Sequence, residues 1–287
     1  MRTPRPSARP VYASALGRPV FFGAVAMCVA VVVARLCGVA LPAYALPLCV
    51  GLLLSLIGLG NFYMPSGVFA RPLLRGPALR PRIALTFDDG PDPVSTPKVL
   101  AALSRHGARA TFFVIGERAA QHPRLIAEIA AASHQLENHS LRHSWATPFA
   151  PRARLAAELL ETQRIIESAQ AGVQAARPPR WFRPPIGILS PEVAAAARRA
   201  GLRLCGWSAK ARDGLGSTGA AAALARLQPK LEPGAILLLH DAAERGGHDP
   251  VAPAVLDKLL PALAERGLSA VTLDELMDEK DLPQRNQ

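Results

Sequence analysis

Cysteine is scarce: Cys28, Cys37, Cys49 and Cys205 are the four in 287 residues. Three fall in an apolar region and the fourth stands alone, so they build neither a disulfide framework nor a CxxC metal site. Aromatic residues make up only 5% of the chain. The formal net charge is +11, yet there is no basic helix face with interleaved aromatics, no finger spacing and no recognition-helix pattern. Nucleic acid is therefore not an expected partner. No internal repeat and no low-complexity tract is present. Charge is itself missing from one stretch, since residues 20–60 carry a single charged side chain, Arg35.

That stretch holds two apolar runs, 20–37 and 41–59, each close to the roughly 20 residues that span a bilayer. Gly38 and Pro42 lie between them, which predicts a transmembrane helical hairpin. A cleaved signal peptide is the plainer alternative, because Arg2, Arg5, Arg9 and Arg18 make a basic leader. The apolar region is, however, far longer than the roughly 7–15 residues of a signal core. Arg71, Arg75, Arg80 and Arg82 follow the hairpin, and anionic headgroups explain such flanks better than a nucleic acid does. Arginines on both sides favour the cytoplasm for both flanks, whereas a single span would put the part after the hairpin outside. The expected plan is a basic cytoplasmic tail over 1–19, a transmembrane region over 20–60, a linker or wrap over 61–81, a folded domain over 82–276 and a flexible tail over 277–287. The expected location is a bacterial-type plasma (inner) membrane, with membrane lipid as a partner.

From Arg82 onward, short apolar runs alternate with helical patterns. Strands are predicted over 83–87, 110–115, 136–138, 181–182, 202–207, 236–239 and 270–273. Helices are predicted over 97–106, 117–133, 152–168, 191–200, 218–231 and 255–266. Strands alternating with helices imply a parallel sheet covered by helices. About seven such units in some 200 residues suit a barrel-like closure, whose reactive side chains sit where strands end.

The unusual residues are at those ends. "ALTFDDGP" places Asp88 and Asp89 side by side after the first strand. In isolation the doublet reads equally well as a turn. His139 and His143 in "HSLRH" are four apart, a spacing that on a helix or tight helical turn puts both imidazoles on one face. Alone it marks two surface histidines more often than a metal site. With a carboxylate at a neighbouring strand end it becomes a His-His-Asp set, and three protein ligands leave a position open for water, as catalytic zinc requires. The doublet then has a chemical sense: one carboxylate binds the cation, the other takes a proton from water, and the cation offsets their repulsion. His240 closes "ILLLH" and is a general-acid candidate on the same rim, although a lone histidine after a buried strand is more often structural. Arg183, fixed by the prolines of "FRPPIG", has Asp213 as its expected partner.

"TFDDGP", "HSLRH", "FRPPIG", "WSAKARD" and "LLLHD", in this order, resemble the five motifs of the polysaccharide deacetylase family, carbohydrate esterase family 4 with the NodB homology domain. The resemblance covers roughly residues 82–276. It implies an α/β fold, a distorted (β/α)7 barrel preceded here by the hairpin, and one divalent metal ion, most often Zn2+. It also implies metal-dependent removal of N- or O-acyl groups from sugars. Carried over by position, Asp88 is the base, Asp89, His139 and His143 bind the metal, His240 is the acid, and Arg183 and Asp213 orient base and acid. Pro185, Ile186, Trp207 and Leu238 fall in the substrate-binding positions, with the Ile186 backbone N–H as oxyanion donor and Trp207 and Leu238 lining an acetyl-sized pocket. Two positions depart from the pattern. Ile186 stands where an aromatic is usual, and Gly214 where a Trp often follows Asp213, so the sugar groove is expected to differ.

The expected function is metal-dependent hydrolysis of N-acetyl groups from an amino-sugar polysaccharide or oligosaccharide. A second substrate class, given the arginine bias, is a lipid-linked sugar deacylated or deformylated at the membrane. A non-catalytic glycan-binding membrane protein is the alternative of another class, and a metal-free amidohydrolase of the same fold the last.

Overall fold

The structure, a computed structural model, describes residues 9–214, 216–243 and 248–278. Most of the tail expected over 277–287, and the first eight residues, lie outside them. In chain order the elements are β1 (Val11–Tyr12), α1 (Gly17–Leu36), α2 (Ala45–Phe62), β2 (Leu73–Arg75), β3 (Arg82–Asp88), α3 (Ser95–Arg105), β4 (Thr111–Val114), α4 (Gly116–Gln121), α5 (Pro123–Ala131) and β5 (Gln135–Asn138). They continue with α6 (Arg152–Ala169), β6 (Trp181–Phe182), α7 (Pro191–Arg199), β7 (Arg203–Leu204), β8 (Ala209–Lys210), α8 (Ala220–Leu227), β9 (Ile236–His240), α9 (Ala252–Glu265), β10 (Ser269–Val271) and α10 (Leu273–Leu276).

Seven strands form one curled parallel sheet in the order β7-β6-β5-β4-β3-β9-β8, with β10 added to the opening half of β3. Helices cover it, so the central strands β3, β4 and β9 are buried on both faces and read as near-continuous apolar runs. The two-residue period then decides which side chains point where. Ile83, Leu85 and Phe87 of β3 and Leu237 and Leu239 of β9 join the large cluster under α3 and α9. Ala84 and Ile236 instead meet Phe113 and Trp181 inside the curl. The same alternation carries Thr86 and Asp88, and Leu238 and His240, to that inner face, which is how two buried strands deliver polar groups to the sheet's C-terminal rim. Phe87 stacks on Phe112 at a centroid distance of 5.0 Å, tying β3 to β4 on the outer face.

Several expected elements end earlier or split. The helix expected over 117–133 breaks into α4 and α5 at His122 (φ −127°, ψ 54°), because Pro123 opens α5. A proline has no N–H for the preceding turn and disfavours helical backbone at the residue before it. The strand expected over 202–207 is only β7, and the chain then crosses to β8 at the opposite edge of the sheet.

The segment before β3 wraps onto the domain. β1 and β2 pair antiparallel, with Val11 opposite Arg75 and Tyr12 opposite Leu73. Leu73 also bridges Cys205 after β7, the Gly76 N–H donates to Gly234 O at 2.8 Å, and Arg75 pairs with Glu232 beside β9. β2 therefore lies along the seam between β7 and β8, where the curled sheet fails to close. α1 and α2, with mean hydropathies of 2.2 and 2.0, are long and apolar enough to cross a membrane. They pack against each other, and at the far turn Arg35 donates to Pro42 O (2.9 Å) and Ala43 O (3.2 Å).

Candidate active site

Asp88 is the last residue of β3 and Asp89 turns away from it with a left-handed φ of 73°, a conformation that Asp tolerates better than most residues. The next position must be Gly90, since a Cβ there would run into both carboxylate oxygens of Asp241. Asp88 accepts a hydrogen bond from Arg183 Nη1 at 2.6 Å, and the same nitrogen donates to Thr86 Oγ1 at 2.9 Å. Arg183 is fully buried, donates through Nη2 to Gly206 O at 3.0 Å, and lies 4.1 Å from the Phe113 ring centroid. A guanidinium sealed in this way holds one carboxylate oxygen still. The expected Arg183–Asp213 pair is not formed, because β6 and β8 lie on opposite sides of β3 in the sheet.

Asp213 instead meets His240. β8 is the neighbour of β9, so the loop after β8 runs beside the end of β9. Asp213 Oδ2 accepts the His240 backbone N–H at 3.1 Å and Oδ1 contacts ring Nδ1 at 2.8 Å. Burial alone would lower the His240 pKa. The hydrogen bond and charge of Asp213, with Asp89 and Asp88 behind, raise it to about 9. Its Nε2 lies 4.0 Å from Asp89 Oδ2.

His139, His143 and Asp89 converge on one point, with Asp89 Oδ1 at 3.3 Å from His139 Nε2 and 3.2 Å from His143 Nε2. The histidines are not on a helix: Ser140 (φ 71°) and His143 (φ 51°) are both left-handed. Short side-chain bonds fold this turn. Ser140 N–H donates to Asn138 Oδ1 at 2.9 Å and His143 N–H to Ser140 Oγ at 3.1 Å. His139 Nδ1 contacts Arg183 O at 2.7 Å, and a proton held there leaves Nε2 with its lone pair toward Asp89. Burial would raise the Asp89 pKa, but His139, His240 and His143 bring it down to about 2. Burial and the neighbouring His139 push His143 down to about 4, whereas Asp88 and Asp89 raise His139 against its burial.

Both Asp89 oxygens are buried and make no hydrogen bond. Three donors within ligand distance of one another, one of them an orphaned carboxylate, fit a divalent cation better than a hydrogen-bonded cluster, because an unpartnered buried charge is otherwise costly.

The cluster opens into a groove of about 490 Å³ that takes in Asp88, His240, Ile186, Trp207 and Leu238. Ile186 has a φ of 51°, a strained value for a β-branched residue. Pro185, expected at the substrate, is a buried residue of this turn, and its neighbour Pro184 is among the residues that line the groove. Some lining residues were not predicted. Trp145, 54% exposed, follows "HSLRH" by two positions, and Lys210 and Arg212 sit inside "WSAKARD". For Lys210 and Arg212 the available signal was charge inside a motif, and for Trp145 it was closeness to one. Arg118 had none: it reaches from α4 to donate to Asp89 O at 2.7 Å and Ala243 O at 3.0 Å.

A curled parallel half-barrel whose strand ends gather two carboxylates, two ligand-ready histidines and an Asp-held third histidine defines an acid–base hydrolase. A family profile described as polysaccharide deacetylase matches residues 75–205. A chitooligosaccharide deacetylase of Rhizobium leguminosarum bv. phaseoli is 38% identical over 213 residues, covering 70% of this chain and 90% of that one. A peptidoglycan-N-acetylglucosamine deacetylase of Bacillus cereus is 34% identical, covering 69% of this chain and 89% of that one. Among solved structures, a family 4 acetyl xylan esterase from Clostridium thermocellum, in complex with a cobalt ion, superposes with a TM-score of 0.62 at 31% identity over 70% of this chain and 93% of that one. The chain belongs to the polysaccharide deacetylase family, carbohydrate esterase family 4.

Proposed function

We propose that this protein hydrolyses the N-acetyl groups of an amino-sugar glycan, of the kind the chitooligosaccharide and peptidoglycan deacetylases act on. The observation that carries the reading is the orphaned Asp89 carboxylate between His139 and His143, next to an Asp88 held in place by Arg183. The relatives described above are named for chitooligosaccharide and peptidoglycan, not for a lipid-linked sugar. A glycan binder would need neither Asp88 nor His240, and a metal-free amidohydrolase would not need the two histidines.

Asp89, His139 and His143 would hold a divalent cation, zinc by the nature of the donor set, and when bound it supplies Lewis-acid polarisation of the acyl carbonyl and acidification of water. Asp88 takes the proton from the attacking water, its second oxygen free of Arg183 for the purpose. The strained turn at Ile186 aims a backbone N–H at the oxygen on which negative charge develops. His240, kept protonated by Asp213, gives its proton to the departing sugar nitrogen. Trp207 and Leu238 form the apolar end that takes the acetyl methyl. Arg183 and Asp213 touch no substrate and act by positioning.

α1 and α2 are read as a membrane hairpin that holds the catalytic domain at a bacterial-type plasma membrane. The 20 residues of α1 make a helix about 30 Å long, the thickness of a hydrocarbon core.

The test is acyl release by the purified full chain with stoichiometric zinc, wild type beside Asp88→Ala. The substrates are an N-acetylglucosamine oligomer and a lipid-linked acylated sugar. Acetate from the oligomer, lost in the variant, is the expected result. Release from the lipid-linked sugar alone overturns the glycan assignment.

A further inference from the structure

The groove carries more positive charge than the reaction uses. Lys210, Arg212 and Arg226 line it beside Trp207, and none of them has a carboxylate partner among the described residues. The two carboxylates that share the groove face other groups, Asp88 the Arg183 guanidinium and Asp89 the imidazoles of His139 and His143.

The three cations are placed, not scattered. Lys210 ends β8 with its ammonium 5.4 Å from the Trp207 ring centroid. Arg212 has a φ of 60°, a left-handed backbone that is unfavourable for an ordinary residue. Such strain persists only where the surroundings fix it, and here both neighbours are pinned. Ala211 N–H donates to Leu238 O at 2.9 Å, and Asp213 holds His240. Arg226 reaches from α8 to the same loop, donating to Ala211 O at 3.4 Å. Burial and the charge of Arg212 both push the Lys210 amine below its usual range, as happens when cations face one another with no acid between them.

We infer that Lys210, Arg212 and Arg226 form an anion subsite of the glycan groove, which takes a carboxylate on a sugar neighbouring the acylated one. The inference rests on the deacetylase reading above and narrows it to acidic N-acyl glycans. Arginine forks match carboxylates in two-point contact, and the subsite is joined directly to Asp213. An acidic neighbour sugar bound there is therefore in register with the residue that orients His240.

The experiment uses the zinc-loaded full chain and two tetrasaccharides. One alternates N-acetylglucosamine with N-acetylmuramic acid and carries free carboxylates; the other is the neutral N-acetylglucosamine tetramer. At low salt kcat/KM is expected to favour the acidic one about tenfold, the scale of one charge-assisted hydrogen bond. In Lys210→Gln/Arg212→Asn the ratio falls toward one. Asn accepts the left-handed backbone, so loss of fold is not the explanation, and Arg212→Lys restores part of the preference. A ratio near one in the wild type, or one that survives the double variant, overturns the subsite. If neither tetrasaccharide releases acetate, calorimetric binding of both to Asp88→Asn separates the two failures. A retained acidic preference sinks only the deacetylase reading, and equal binding sinks the subsite.

Discussion

Arg183 and Asp88 meet at 2.6 Å with both groups shut away from solvent, and neither has another partner of opposite charge as near. Removing one member of such a pair leaves an uncompensated buried charge, which destabilises by about 3–5 kcal/mol. Arg183→Met is therefore expected to lower Tm sharply as well as activity. Combining it with Asp88→Asn should recover stability, so that the double variant is more stable than the sum of single losses. Denaturant titrations of the four proteins in the cycle check this. Additive losses would mean that the two residues stabilise the fold independently.

Asp89 makes a different prediction, because its carboxylate has no hydrogen bond to lose. A ligand that binds only the folded chain stabilises it by about 2.7 kcal/mol at a hundred times its Kd. Zinc added to metal-free wild type should raise Tm and restore activity that a chelator removes. Asp89→Ala and His143→Ala should show neither response, with metal content falling from one per chain to none by elemental analysis. A full Tm response in either variant would place the cation elsewhere.

His240 sets the alkaline side of the pH profile. Its pKa is raised to about 9, with Asp213 the main cause working against burial, and a group raised in this way is protonated below that value and neutral above it. A general acid must start protonated, so kcat/KM falls as pH rises through the His240 pKa. Asp213→Asn removes the charge that supports the imidazolium, which moves the alkaline limb to lower pH and reduces activity by about 10–100-fold. An unmoved limb in the zinc-loaded variant would assign it to another group.

Much of this centre could be read from the chain because its residues sit at the ends of strands with strong apolar signatures. β3, β4 and β9 are buried on both faces, and the period-two alternation alone sends Asp88 and His240 inward. The pairing of Asp213 with His240 rather than Arg183 depends on strand order, and no local pattern encodes which edge β8 joins. The turn of His139–His143 is equally opaque to periodicity, since it is built by Asn138 and Ser140 side chains in left-handed backbone. Pro123 is the opposite case: the break between α4 and α5 was present in the sequence as a proline inside a helical pattern. The wrap of β1 and β2 along the open seam rests on contacts between residues far apart in sequence, such as Arg75 with Glu232.

The hairpin can be tested with the chain's own thiols. Cys37 is exposed at the turn between α1 and α2, and Cys205 is buried beside β2. With Cys28, Cys49 and Cys205 replaced by Ala, a membrane-impermeant maleimide should label Cys37 only from the face opposite a protease-accessible tag after Gln287. Labelling from the tag's own face would mean that the hairpin lies in one leaflet without crossing.

Gly214 links substrate groove and acid in a way that one methyl group can probe. A Cβ at this position would stand 3.0 Å from His240 Nε2 and 3.1 Å from the ring carbons on either side of it. That is tighter than most side-chain contacts, so the ring or the loop must give by a few tenths of an ångström. His240 has little freedom to give way, because Asp213 fixes both its backbone N–H and its ring. Gly214 is on the same loop, directly after that anchor, so Gly214→Ala sets the loop against the residue it holds. The expected result is a fall in kcat with little change in zinc content, since Asp89, His139 and His143 lie outside the clash. A displacement of about 1 Å in a catalytic group reduces the rate about 100-fold, so a shift of a few tenths of an ångström is expected to lower kcat by a smaller factor. Titrating KM and kcat separately on the N-acetylglucosamine tetramer distinguishes this from a blocked groove: a rise in KM with kcat intact would show that Gly214 serves only as room for substrate.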